Sequence, residues 1–120
     1  MSLILSFLIA ASLQSAAPAA PDWRPLGEVG GYVAFWDRAS VVRGDVVRLR
    51  MRFIIPPATR RDYAYWISRV ELRCATAQVR TVETVNYRPD DSPGTIDNNP
   101  VPWEPINPGS LFDRIRREVC

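Results

Sequence analysis

The chain has two cysteines, Cys74 in "SRVELRC" and Cys120 at its last position, and each can support several kinds of chemistry. A thiolate acts as a nucleophile, binds a metal ion or forms a disulfide. A metal site needs further ligands, and the sequence contains no histidine. A redox-active pair is usually spaced as C-x-x-C, whereas these two cysteines lie 46 positions apart. Of the three possibilities, the residue types and spacing favour a structural disulfide.

No other group of residues forms a recognisable catalytic motif. Histidine, the commonest general base, is missing, and the sequence has neither G-x-S-x-G nor a phosphate-binding glycine loop. Asp90 and Asp91 are the only adjacent carboxylates, and within "RPDDSPG" they fit a solvated turn better than an acid–base pair. We therefore expect no enzyme, no cofactor and no metal site.

Arginines alternate with apolar residues in "DVVRLRMRFII", which places Arg48, Arg50 and Arg52 on one face of a strand. These three residues could bind an acidic matrix protein or a polyanion such as a glycosaminoglycan or lipopolysaccharide. They could equally be the solvated face of the strand, with Glu71 and Glu83 as cross-strand partners. The formal net charge of +2 gives no reason to expect nucleic acid as a partner.

Trp103 raises a similar choice, because it lies in a segment with six prolines between Pro89 and Pro108. It is either a core residue or a contact for a partner. We therefore include it with the arginines as a candidate binding residue.

The elements that position these residues are mostly strands. Alternation and β-branched residues predict strands in "YVAFWD", "DVVRLRMRFII" and "YWISRVELRC", and a strand with a bulge in "AQVRTVETVNY". Gly44-Asp45 predicts a hairpin turn, and the proline-rich stretch predicts a loop with one short strand around Val101 to Trp103.

The last eleven residues, "SLFDRIRREVC", predict a helix that begins after Ser110 as the N-cap, with Asp113 in its first turn. Leu111, Phe112, Ile115 and Val119 form its apolar stripe. The predicted fold class is α+β, an antiparallel β-sheet of about five to six strands with a C-terminal α-helix packed on one face.

Residues 1–19 have the pattern of a signal peptide, an uncharged apolar run followed by small residues, with cleavage expected after Ala19. The run is too short for a transmembrane segment. Since no cysteine lies near the expected cleavage site, we do not expect a lipid anchor. Residues 20–120 would then form one exported domain in the periplasm, at the cell surface or secreted. In an oxidising compartment Cys74 and Cys120 would pair, and closing their loop would stabilise the fold by about 4 kcal/mol.

The order of these features resembles the surface-adhesin protein E-like family of bacterial exported domains. The resemblance rests on "DWRPLG", the aromatic strand that ends in "DRAS", the "VVRLRMRF" and "YWISRVELRC" strands, and "WEPINPGS" before a helix that ends on cysteine. It implies the disulfide between Cys74 and Cys120, and a helix packed on an antiparallel sheet. It also implies cell adhesion through extracellular-matrix and serum proteins.

Two functional hypotheses follow. In the first, the domain is a non-enzymatic binding module that contacts a host matrix protein or a polyanion. In the second, it is a periplasmic structural or envelope-associated protein that has no adhesive function and assembles through its sheet, for example as a homodimer.

Overall fold

The computed structural model describes residues 20–120, so the predicted signal peptide at residues 1–19 and its cleavage site lie outside the described residues. These residues form one antiparallel sheet in which the order β1-β2-β3-β4-β5-β6 follows the chain and β7 also pairs with β5. The strands are β1 Trp23–Val29, β2 Tyr32–Asp37, β3 Val46–Ile54, β4 Tyr65–Arg73, β5 Gln78–Tyr87, β6 Pro93–Asp97 and β7 Glu104–Pro105. The sheet is curled, and within residues 20–120 one α-helix, α1 (Leu111–Val119), follows it. The α+β class predicted from the sequence is confirmed.

The strands with regular alternation lie where the sequence predicts them. β3 and β4 pair without interruption from Val46 opposite Arg73 to Ile54 opposite Tyr65. The bulge predicted in β5 is present, because the register with β4 shifts between Arg69 and Val70 and leaves Val82 as the extra residue. The predicted hairpin at Gly44-Asp45 is narrow. On its N-terminal side a 3₁₀ turn (Arg38–Ser40) comes first, and only the bridge between Val42 and Arg48 closes it.

The proline-rich segment forms more strand than the sequence predicts. β6 pairs with the end of β5 from Thr84 to Tyr87, and β7 pairs with its beginning at Gln78 and Val79. The short strand expected around Val101 to Trp103 is wrong in position, since strand β7 begins at Glu104. Val101 N still donates to Thr81 O at 3.1 Å, so the segment follows the edge of β5 between the two strands. Proline is tolerated there because the outer side of an edge strand needs no donor.

The predicted helix cap is confirmed. Ser110 Oγ accepts a hydrogen bond from Asp113 N at 3.2 Å, and Asp113 Oδ2 accepts one from Gly109 N at 2.9 Å. The backbone hydrogen bond from Gly109 is the main reason why the pKa of Asp113 lies below its ordinary value, with Arg116 and Arg117 adding to it.

The buried apolar residues form one cluster that includes side chains of the sheet and of the helix. It contains Leu49, Met51 and Leu72 from the strands and Ile115 and Val119 from α1. Cys74 is joined to Cys120 by a disulfide with a Cα–Cα distance of 5.6 Å, so the chain end is fixed beside the end of β4. Arg114 Nη1 also donates to Leu26 O at 2.8 Å, and Arg43 Nη1 donates to Val119 O.

Candidate functional site

The sheet face opposite Leu49 and Met51 carries Arg48, Arg50 and Arg52, and we call it the outer face. In register with these residues it also carries Glu71, Arg69 and Ile67 of β4. The alternation along β3 is the reason, since it buries one set of side chains in the core and directs the other set away from it. The structure therefore brings the three predicted arginines together.

Arg48 is paired with an acid on the neighbouring strand. Its Nε donates to Glu71 Oε2 at 2.7 Å, and Arg80 from the other side donates to Glu71 Oε1 at 2.8 Å. Glu71 is only 6% exposed. Burial alone would raise its pKa, but the hydrogen bonds from Arg48 and Arg80 outweigh that effect and hold the pKa of Glu71 below its ordinary value.

Arg50 is paired with the buried carboxylate of Asp37. Its Nη2 donates to Asp37 Oδ2 at 2.6 Å, while Asp37 Oδ1 accepts from Asp22 N at 2.8 Å and from Ala39 N at 3.1 Å. Ser40 completes the network, because its hydroxyl donates to Asp37 O and accepts from Arg50 N. Asp37 thus ties the start of β1 and the 3₁₀ turn to the centre of β3, and the sequence predicts it only as a turn residue.

Arg52 lies over an aromatic side chain. Its guanidinium is 4.2 Å from the centroid of the Tyr65 ring, and Tyr65 stacks on Tyr87 with 5.0 Å between the ring centroids. Arg52 Nε is buried and has no hydrogen-bond partner within residues 20–120. The Tyr65 hydroxyl donates to Asp91 Oδ1 at 2.7 Å. Burial, followed by this hydrogen bond, raises the pKa of Tyr65 to about 12.

Trp103 is half-buried and lies against two guanidinium groups. The centroid of its ring lies 4.0 Å from the Arg73 guanidinium and 4.5 Å from that of Arg80. Cation–π contacts of this kind hold the proline-rich segment against the outer face. Trp103 is therefore neither a core residue nor an unoccupied aromatic surface.

An open groove of about 590 Å³ runs across the middle of the outer face. Arg69 lies in it opposite Arg50 on one side and Glu83 on the other, and it forms no ion pair in the described part of the chain. Four apolar lining side chains are only partly buried, namely Ile67, Val82, Val85 and Tyr87. The polar part of the lining consists of Ser40, Arg48, Arg50, Glu71 and Glu83.

The adjacent carboxylates Asp90 and Asp91 lie in an exposed turn, as predicted. Asp90 Oδ1 accepts hydrogen bonds from Ser92 Oγ and Ser92 N, which hold the pKa of Asp90 below its ordinary value. Among residues 20–120 no three potential ligands come close enough to hold a metal ion. Over the same residues no helix has the length and apolar character to cross a membrane.

A second arginine cluster, which the sequence does not predict, lies beside α1. Two adjoining cavities of about 580 and 250 Å³ share Pro25, Trp36 and Glu118, and together we call them the helix groove. The arginines that line it come from β1, the 3₁₀ turn, the following loop and the helix, and they are Arg24, Arg38, Arg43, Arg114 and Arg117. No pattern in the sequence connects positions that are so far apart.

The fold and these surfaces define an α+β domain with two basic surfaces, one on a sheet face and one beside its terminal helix. The family model of surface-adhesin protein E matches residues 23–120, and the chain therefore belongs to this family. Membership indicates a non-enzymatic protein that is exported or displayed at the surface. A comparison with curated proteins finds no match.

Proposed function

We propose that this protein is an exported, non-enzymatic adhesin-type domain whose outer face binds an extracellular-matrix protein. The observation that supports this most is the groove of about 590 Å³ on the outer face. Its partly exposed apolar lining beside an unpaired Arg69 is typical of protein contact surfaces, in which apolar area and arginine are combined.

The pairing of the arginines favours a protein over a polyanion as the partner of the outer face. Arg48 and Arg50 already have the carboxylates of Glu71 and Asp37 as partners. A polyanion would have to compete with these ion pairs, and the acids beside the arginines would repel it. A protein gains from burying the apolar side chains and can leave the ion pairs in place.

The test is binding of the purified protein to a panel of immobilised matrix proteins by surface plasmon resonance. Arg69→Glu and Val85→Thr change the groove with little effect on the core, and we expect each to weaken binding. Arg61→Glu is the control, since Arg61 is exposed in the loop between β3 and β4. Equal binding by all variants would exclude the groove as the contact surface.

We also propose that a signal peptide is cleaved after Ala19 and that α1 packs on the core face of the sheet. The second hypothesis, a periplasmic structural protein that assembles as a homodimer, predicts a different location. Protease treatment of intact cells separates the two. If the protease cuts this protein while a periplasmic control protein stays intact, the adhesin hypothesis is supported. If this protein also stays intact until the outer membrane is broken, the structural hypothesis is supported.

A further inference from the structure

The arginines of the helix groove differ from those of the outer face in what they are paired with. Arg38, Arg43 and Arg114 form no ion pair within residues 20–120. Arg43 and Arg114 each use one guanidinium nitrogen on a backbone carbonyl, at Val119 and Leu26, which holds the side chain in place and leaves its charge uncompensated.

The other two arginines of the groove are only partly neutralised. Arg24 pairs with Asp22 at 3.0 Å and Arg117 with Asp113 at 3.1 Å, and the side chain of Arg117 is 70% exposed. The exposed pair of Arg24 with Asp22 is weak, and the exposed guanidinium of Arg117 stays accessible to another anion although Asp113 is buried. Glu118 is the one acid that lines the two cavities, and it forms no ion pair in the described chain.

The groove therefore concentrates positive charge in a chain whose formal net charge is only +2. Like charges that converge from four separate segments repel one another, and the three nearby acids, Asp22, Asp113 and Glu118, offset only part of that cost. Guanidinium groups bind sulfate and phosphate oxygens with paired hydrogen bonds, so an anionic ligand would relieve the repulsion.

We propose that the helix groove is a binding site for a linear sulfated polysaccharide. The arginines are distributed along two adjoining cavities, and this arrangement fits a polymer with repeated anionic groups better than a single head group. An adhesin-family domain meets such polymers outside the cell. The site is distinct from the outer face and does not depend on the protein ligand proposed there.

The experiment measures the binding of heparin oligosaccharides to the purified protein by calorimetry at several salt concentrations. The double variant Arg38→Gln/Arg117→Gln should weaken binding at least tenfold. It should also reduce the slope of log Kd against the logarithm of the salt concentration by about one for each arginine. The matched control Arg60→Gln/Arg61→Gln removes the same charge from two exposed loop positions that line neither groove and should change Kd less than twofold. Arg38→Lys, which keeps the charge, should retain most of the affinity.

Several results would overturn the proposal. Equal losses in the two double variants would show attraction to net charge without a site. Tighter binding to DNA or to lipopolysaccharide than to heparin at equal salt would assign the groove to a phosphate ligand. Undetectable heparin binding at low salt would exclude a polyanion site of any kind. In each case the test of the outer face with matrix proteins would stand unchanged.

Discussion

At the residue scale, the carboxylate of Asp37 connects three segments of the chain, the start of β1, the 3₁₀ turn and β3. Its side chain is 1% exposed and accepts from Asp22, Ala39 and Arg50. Asp37→Ala removes the acceptor and leaves the Arg50 charge and two backbone N–H groups unpaired. We expect the free energy of unfolding to fall by about 2–4 kcal/mol.

Urea denaturation followed by tryptophan fluorescence measures this loss. Asp45→Ala, in the exposed turn before β3, is the control and should change stability by less than about 0.5 kcal/mol. A similar small effect for Asp37→Ala would show that the network is not needed for stability.

Glu71 gives a prediction for pH dependence. Because its pKa in the folded protein is lowered from 4.5, the unfolded chain takes up a proton first as the pH falls. The ion pairs with Arg48 and Arg80 therefore stabilise the fold fully above the unfolded pKa, and their contribution is lost as the pH falls below about 4.5 and through the folded pKa. Glu71→Gln should be less stable than the natural protein at pH 7.

The difference should shrink as the pH is lowered, because protonation removes the same interaction from the natural protein. Urea midpoints measured for both proteins between pH 7 and pH 3 test this. A difference that stays constant over the range would mean that the ionisation of Glu71 does not contribute to stability and that the substitution acts in another way.

At the element scale, the sequence predicts those strands in which local pattern and tertiary environment agree. β3 alternates apolar and charged residues because its two faces have different surroundings, so its position can be predicted from residues 47–53 alone. β6 cannot be predicted in this way. "PGTID" is short, begins with proline and is stabilised by pairing with β5, which no local signal reports.

The same distinction between local pattern and tertiary environment applies to the residues of the candidate site. The arginines of β3 follow from the alternation of that strand, and the sequence also suggests Glu71 as a cross-strand partner, which the structure shows for Arg48. Asp37, in contrast, reaches Arg50 only through the folded positions of β2 and the 3₁₀ turn. The helix groove collects arginines from position 24 to position 117, so only the folded chain shows it.

Gly94 tests how β6 is held. A Cβ atom added there would clash with the Tyr63 ring, and the Tyr63 hydroxyl accepts from Thr95 N at 3.2 Å. Gly94→Ala forces the ring away and breaks that hydrogen bond, so we expect a loss of about 1–2 kcal/mol in the free energy of unfolding.

Gly44→Ala is the matched control, because its Cβ would meet only Val46 O at 3.5 Å. Repeating Gly94→Ala in a Tyr63→Ala background should reduce the loss, since the clash and the hydrogen bond are both gone. An unchanged loss in that background would mean that Tyr63 is not the cause.

At the scale of the whole molecule, the two basic surfaces depend on different parts of the fold. The outer face is built on β3, β4 and β5, which pair along their full lengths. The helix groove needs α1 at its place beside β1, and α1 is joined to the sheet by the disulfide and by arginine hydrogen bonds to Leu26 and Val119. Loss of the disulfide should therefore affect the two surfaces unequally.

Replacing both cysteines by serine tests this dependence. Opening a loop between residues 46 positions apart should lower the free energy of unfolding by about 4 kcal/mol. Short of global unfolding, we expect α1 to detach first, because it follows the irregular segment between β7 and residue 110 and loses its fixed end. Hydrogen exchange should then increase in residues 111–120 much more than in β3 and β4.

Heparin binding should fall, while binding through the outer face persists at temperatures where the sheet remains folded. A uniform increase in exchange over the whole chain would contradict this order and show that helix and sheet unfold as one unit.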